Sequence, residues 1–139
     1  TGFATSLSHS GTMVAIAIAR GAAVGVDIEG YLPRSNLHEI AGVLCSATEA
    51  AAMASLEGEA RARALLELWT RKEALLKAFG VGLRVAPSAI EANIDVAIEP
   101  PANSAGATAC RLSTLAMPVG WLGALALAHD IKGHSLHHV

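Results

Sequence analysis

Charge is scarce in this chain. Asp, Glu, Lys and Arg make up 16% of 139 residues and leave a formal net charge of −2. A sequence pI near 6.3 gives no basic footprint, so nucleic acid is not an expected partner. Cysteine is limited to Cys45 and Cys110, too few for a disulfide framework, and a reduced, cytoplasmic protein is the simpler reading. Long apolar runs are missing as well. The stretch from Leu115 to Ala128 is interrupted by Pro118 and is too short to cross a bilayer, so no membrane is expected. No charged-then-apolar signal peptide opens the chain. It begins at Thr1 rather than Met, as a piece of something longer would.

What is present is apolar. Hydrophobic residues reach 53% and mean hydropathy is +0.45, which excludes a disordered or acidic solvating segment. The length suits one domain with a real core, expected over residues 1–128 with a polar tail over 129–139. Alanine is abundant and tolerated on either face of either element, so the larger side chains carry the pattern. They predict strands over 3–8, 13–19 and 23–29, a loop over 30–36 containing Pro33, and a short helix over 37–44 capped by Asn36. Ser46 or Thr48 would cap another helix running to residue 56, and a long helix over 59–79 would end at Gly80 in a left-handed cap. Alternation of Ile90, Ile94, Val96 and Ile98 predicts a strand over 89–98, followed by strands over 108–115 and 121–128. Strands, then helices, then strands make an α+β fold: a mostly antiparallel sheet packed against one long helix and shorter ones.

Three stretches carry chemistry. In Val24-Gly25-Val26-Asp27-Ile28-Glu29 strand alternation puts Asp27 and Glu29 on one face, roughly 7 Å apart. Paired carboxylates repel unless a proton or cation lies between them, and hard oxygen donors favour Mg²⁺. They would equally suit a strand end that simply faces water. In the long helix, Leu65, Leu68, Trp69, Leu76 and Phe79 form an apolar stripe, with Lys72 in its middle, Glu73 at its margin beside Trp69, and Lys77 one turn on. A lysine in such a stripe is expensive unless its ammonium reaches an anion or water. Glu73 and Lys77 would also suit an ordinary i, i+4 surface pair. Leu7-Ser8-His9-Ser10-Gly11 gathers hydroxyls, an imidazole and turn amides, which suits a phosphate cradle or merely a turn.

Together, in this order, the three stretches resemble the 4′-phosphopantetheinyl transferases. The pattern is Ser8-His9-Ser10, then Gly25-Val26-Asp27-Ile28-Glu29, then Trp69-Thr70-Arg71-Lys72-Glu73-Ala74-Leu75-Leu76-Lys77, then Gly80-Val81-Gly82. It runs from about Phe3 to Leu83, and beyond that only the strand pattern agrees. Ser-His preceding the Asp strand is similar to the second half of the long, two-half type, the surfactin-synthetase-activating kind that serves peptide and polyketide synthases. The preceding half, which in the family supplies basic residues gripping coenzyme A, is not in this chain.

The resemblance implies transfer of the phosphopantetheine arm of coenzyme A to a serine of an acyl or peptidyl carrier protein. It also implies Mg²⁺ held by Asp27, Glu29 and Glu73, with Glu73 as the base. Lys77 would meet the phosphates, Ser8 and His9 the 3′-phosphate, and Lys72 would point toward the cofactor or the missing half. An uncovered apolar sheet face would drive self-association or pairing with that half. A non-catalytic half that binds coenzyme A or a partner without turnover is the competing reading, and a Mg²⁺-dependent hydrolase a third. His129, His134, His137 and His138 read as a solvated tail rather than a metal site.

Overall fold

The computed structural model describes residues 2–31, 37–102, 104 and 106–139. The loop containing Pro33 and the Asn36 cap lie outside the described residues. Strands β1 (Phe3–Ser10) and β2 (Met13–Arg20) form an antiparallel hairpin. Strand β3 (Val24–Gly30) follows. The helices are α1 (Leu37–Leu44), α2 (Ala47–Ala54) and α3 (Gly58–Phe79). After two 3-10 turns come β4 (Ala97–Ile98), β5 (Cys110–Thr114) and β6 (Trp121–Ala128), and the four-stranded sheet has the order β3-β6-β5-β4, antiparallel throughout. This is the expected α+β architecture. Among the described residues, no helix is long and apolar enough to cross a membrane.

Helix α3 lies across β3 and β6, burying Leu65, Leu66, Leu68, Leu75, Leu76 and Phe79 against Leu112, Ala124 and Ala126. Two glycines make its placement possible. A Cβ on Gly25 would sit 1.9 Å from the Ala74 carbonyl oxygen, so only glycine lets helix and strand approach this closely. Gly80 ends α3 at φ 68°, the left-handed cap the sequence predicts. Ser46 caps α2 in a reciprocal box with Glu49.

The expected strand over 89–98 is corrected. Only Ala97–Ile98 pair as strand, and Pro87–Ala89 form a 3-10 turn. Beyond an isolated bridge from Ile94 to Leu112, backbone groups of and just before this segment are drawn to side chains. The Pro87 and Ile90 carbonyls accept from Lys72, and the Ala92 N–H donates to Glu49. Ile90 and Ala92 are still buried, so the apolar residues that suggested a strand are core residues of an irregular segment.

Candidate functional site

Strands β1 and β3 are joined by side chains rather than by a ladder. The N–H groups of Val26, Ile28 and Gly30 donate to Ser6 Oγ (3.0 Å), Ser8 Oγ (3.1 Å) and Ser10 Oγ (3.1 Å). Serines two residues apart face the same way on a strand, so three hydroxyls satisfy three successive outward amides of β3. The Ser8 hydroxyl in turn donates to Asp27 Oδ1 at 2.9 Å, and Ser10 Oγ lies 3.5 Å from Glu29 Oε2.

Helix α3 reaches the same carboxylates from the other side. The Trp69 indole N–H donates to Glu29 Oε1 at 3.2 Å. The Lys77 ammonium donates to the Val26 carbonyl at 2.9 Å, to Asp27 Oδ1 at 3.1 Å and to the Leu7 carbonyl at 3.3 Å. Glu73 stands one turn after Trp69 and one before Lys77, on the same face of the helix.

The electrostatics match this crowding. Asp27 is 6% exposed, and burial pushes its carboxyl up to about 6. Lys77 and the Ser8 hydroxyl pull against that shift, and the charge of Glu29 adds to it. Burial raises Glu73 too, with Lys77 opposing and Glu29 reinforcing. Glu29 therefore disfavours charge on both neighbours. Asp27 Oδ2 is buried and has no hydrogen-bond partner. Such an oxygen, on a carboxylate flanked by two more, fits a hard divalent cation in donor chemistry and charge.

The side chains as placed do not gather around one ion, however. Among the described residues no three His, Cys, Asp or Glu groups stand close enough to hold a metal. Lys77 and Ser8 hold Asp27, while Trp69 holds Glu29.

Two more expectations, for Lys72 and Ser8, meet side chains that are otherwise committed. Lys72 does not point toward a cofactor or another half: it is 1% exposed, and its ammonium donates to Glu49 Oε1 (2.5 Å) and the Pro87 and Ile90 carbonyls (2.8 and 2.5 Å). All three protons have acceptors inside the core, which is how a lysine survives in an apolar stripe. Burial would raise Glu49, but its hydrogen bonds to Lys72, Ala92 and Ser46 outweigh that and hold it below the usual carboxylate range. Ser8 faces β3 rather than an open cradle, its hydroxyl committed between the Ile28 N–H and Asp27. The strand runs to Ser10, so alternation sends His9 to the opposite, exposed face. Lys77 donates to Asp27 and to the Val26 and Leu7 carbonyls.

The functional residues that sequence reasoning missed are Ser6 and Glu49. Ser6 shares its two-residue spacing with Ser8 and Ser10, a signal present in the sequence; Glu49 stands three residues after Ser46, which signals a capping box but not its pairing with Lys72. Cys45 and Cys110 are buried, with burial pushing Cys110 up to about 11, so neither is a ready nucleophile.

Comparison with known proteins places the family and the fold. The family profile described as the 4′-phosphopantetheinyl transferase superfamily matches residues 23–119. Similar relatives include the 4′-phosphopantetheinyl transferase AcpT of Salmonella typhi, 39% identical over 75 residues, covering 54% of this chain and 39% of AcpT. The 4′-phosphopantetheinyl transferase HetI of Nostoc is 31% identical over 130 residues, covering 92% of this chain and 53% of HetI. The chain thus spans about half the length of these relatives or less. Its fold is similar to the holo-ACP-synthase of Plasmodium yoelii (TM-score 0.58, 20% identity, 78% of this chain and 97% of that one). It is also similar to the holo-[acyl-carrier-protein] synthase of Thermotoga maritima (TM-score 0.52, 17% identity, 80% and 65%). The chain belongs to the 4′-phosphopantetheinyl transferase superfamily.

Proposed function

We propose that this superfamily member is the second half of a two-half phosphopantetheinyl transferase. It moves the phosphopantetheine arm of coenzyme A to a serine hydroxyl of an acyl or peptidyl carrier protein and releases 3′,5′-ADP. The observation that carries the reading is Asp27: buried, with Oδ2 unpartnered, beside Glu29 on β3 and held by Lys77 of α3, whose neighbour Glu73 feels the charges of both Lys77 and Glu29. Asp27, Glu29 and Glu73 would hold Mg²⁺, which when bound offsets charge on the pyrophosphate and the leaving group.

The remaining work falls to this chain's own side chains. Glu73, whose affinity for a proton is raised by burial and by Glu29, is the base that takes the proton of the incoming serine. Ser8 positions Asp27 instead of touching the substrate. His9, exposed on β1, is the group left to meet the 3′-phosphate. Phosphoryl transfer is governed by positioning and charge, and the serine and indole bonds to Asp27 and Glu29 supply the first. The exposed face of the β1–β2 hairpin takes the preceding half or a second copy.

A second reading, a half that binds without turnover, draws support from Lys77 sitting on Asp27 and from the ungathered carboxylates. One assay separates them. The chain is mixed with coenzyme A, Mg²⁺ and several apo carrier proteins, and the carriers are weighed. A gain of one phosphopantetheine arm, lost in Asp27→Ala and Glu73→Ala, is the expected result. Coenzyme A binding with no gain favours the second reading, and phosphate release without any carrier would point to hydrolysis.

A further inference from the structure

On the sheet face that carries Asp27 and Glu29, one strand over, α3 and the sheet leave a space between them. Cross-strand partners share a face, and β6 sets Leu122 opposite Glu29 and Ala124 opposite Asp27. Beside them lies a cavity of about 250 Å³, walled by Arg63, Glu67 and Arg71 of α3 and by Met117, Trp121 and Leu122. It opens to solvent at Arg63 and Thr114, both exposed. One water takes roughly 30 Å³ in the liquid, so the space is too large for a single bridging water.

The charges around this cavity are unevenly committed. Glu67 pairs with Arg63 at 2.9 Å, and the Arg63 guanidinium also lies over the Tyr31 ring. Glu49 is held by Lys72. Arg71 Nε, by contrast, is buried with no hydrogen-bond partner among the described residues. Glu67 and Glu49 act on Arg71 only as charges, opposing a burial that disfavours its positive form. A buried charged donor without an acceptor is costly, and here a cavity adjoins it.

We infer that this cavity is a binding site for a carboxylate carried on an apolar chain, with Arg71 as its anchor. Two guanidiniums and one carboxylate line it, which leaves one positive charge. A monoanion offsets that charge, and a phosphate dianion overshoots it. The planar fork of arginine suits both oxygens of a carboxylate. Met117, Trp121 and Leu122 supply the apolar wall that the chain would cover. A free short-chain acid and a Glu side chain of a docked protein both present this chemistry. The site takes no part in the transfer proposed above and does not depend on it, yet its occupant would stand across one strand from Glu29.

The test titrates the ¹⁵N-labelled chain with acetate, butyrate, hexanoate, inorganic phosphate and the blocked peptide acetyl-Leu-Glu-Leu-amide in turn. The Arg71 Nε–H signal, assigned by its loss in Arg71→Gln, is followed by NMR, affinities are read by calorimetry, and thermal unfolding checks the fold of each variant. A saturable shift of the Arg71 signal is expected, with affinity rising from acetate to hexanoate and lower for phosphate. Hexanoate should bind Arg71→Gln at least about tenfold more weakly. Thr114→Glu, an exposed change that puts a competing carboxylate at the mouth, should weaken it likewise, and it keeps the test decisive if Arg71→Gln fails to fold. Tighter binding of the peptide than of hexanoate assigns the site to a protein side chain, the reverse to a free acid, and either upholds it. Hexanoate that shifts nothing, or that binds both variants as well as the wild type, would overturn the proposal. Phosphate binding as tightly as hexanoate would overturn the choice of a monoanion, and acetate binding as tightly would overturn the role of the apolar wall.

Discussion

Asp27 carries its charge at a cost to the fold. Its carboxyl is raised from 3.8 to about 6 by burial, so between those values the native state holds a proton that the unfolded chain has released. Stability must then fall as pH rises through that window and level off above it, by as much as about 3 kcal/mol. Asp27→Asn should flatten this part of the profile and be the more stable protein above pH ~7, which urea unfolding across pH checks; an unchanged slope would mean Asp27 ionises freely in the fold. Lys72 makes the opposite case. Its oddity was legible, since a lysine at the centre of an apolar stripe demands an acid. Which acid was not, because Glu49 lies 23 residues away on another helix and no periodicity links the two. Lys72→Met strands a buried carboxylate and should lose about 3–5 kcal/mol. Lys72→Met with Glu49→Gln should lose less than the single change, and strict additivity in the double-mutant cycle would show that the pair does not interact.

Elements place these residues through close approach and through hydroxyls standing in for a ladder. Gly25 has no room for a side chain: its added Cβ would meet the Ala74 carbonyl oxygen at 1.9 Å and the Ala78 nitrogen at 2.6 Å. Both partners are backbone, so Gly25→Ala must push α3 off β3 and carry Glu73 and Lys77 away from Asp27. Several kcal/mol of stability should go with it, visible in thermal unfolding; a variant of native stability would show that helix and strand have slack at this contact. On the other edge, Ser8→Ala orphans the Ile28 N–H and should cost about 1–3 kcal/mol. The elements that sequence periodicity located well are those whose backbone bonds stay within the element or its ladder, such as α3 and β6. The segment over 89–98 escaped because its carbonyls serve Lys72, a side chain whose partners no local pattern reveals. Ser8 and His9 are parted for a related reason: β1 continues through the turn-like Ser-His-Ser-Gly stretch to Ser10, and strand alternation sends the two side chains to opposite faces.

At the scale of the whole molecule, one sheet face is unlike the rest of the surface. Phe3, Leu7, Val14, Ile16 and Ile18 are 58–70% exposed and lie together on the hairpin, with Leu7 opposite Ile16 and Thr5 opposite Ile18. Their neighbours Ala15, Ala17 and Ala19 on the other face pack toward Val24 and Val26. Alternation therefore buries the small residues and presents the large ones, the reverse of a solvated hairpin. A patch of this kind marks an interface, and its apolar pattern was readable in Val14, Ile16 and Ile18 while its exposure was not. The chain should associate through it at high protein concentration. Ile16→Glu with Ile18→Glu places two like charges on that face, far from the Gly25 contact and the serine bonds, and should yield a monomer of unchanged thermal stability. Sedimentation of both proteins decides the matter: a wild-type chain that stays monomeric when concentrated would leave the hairpin face without a role in pairing.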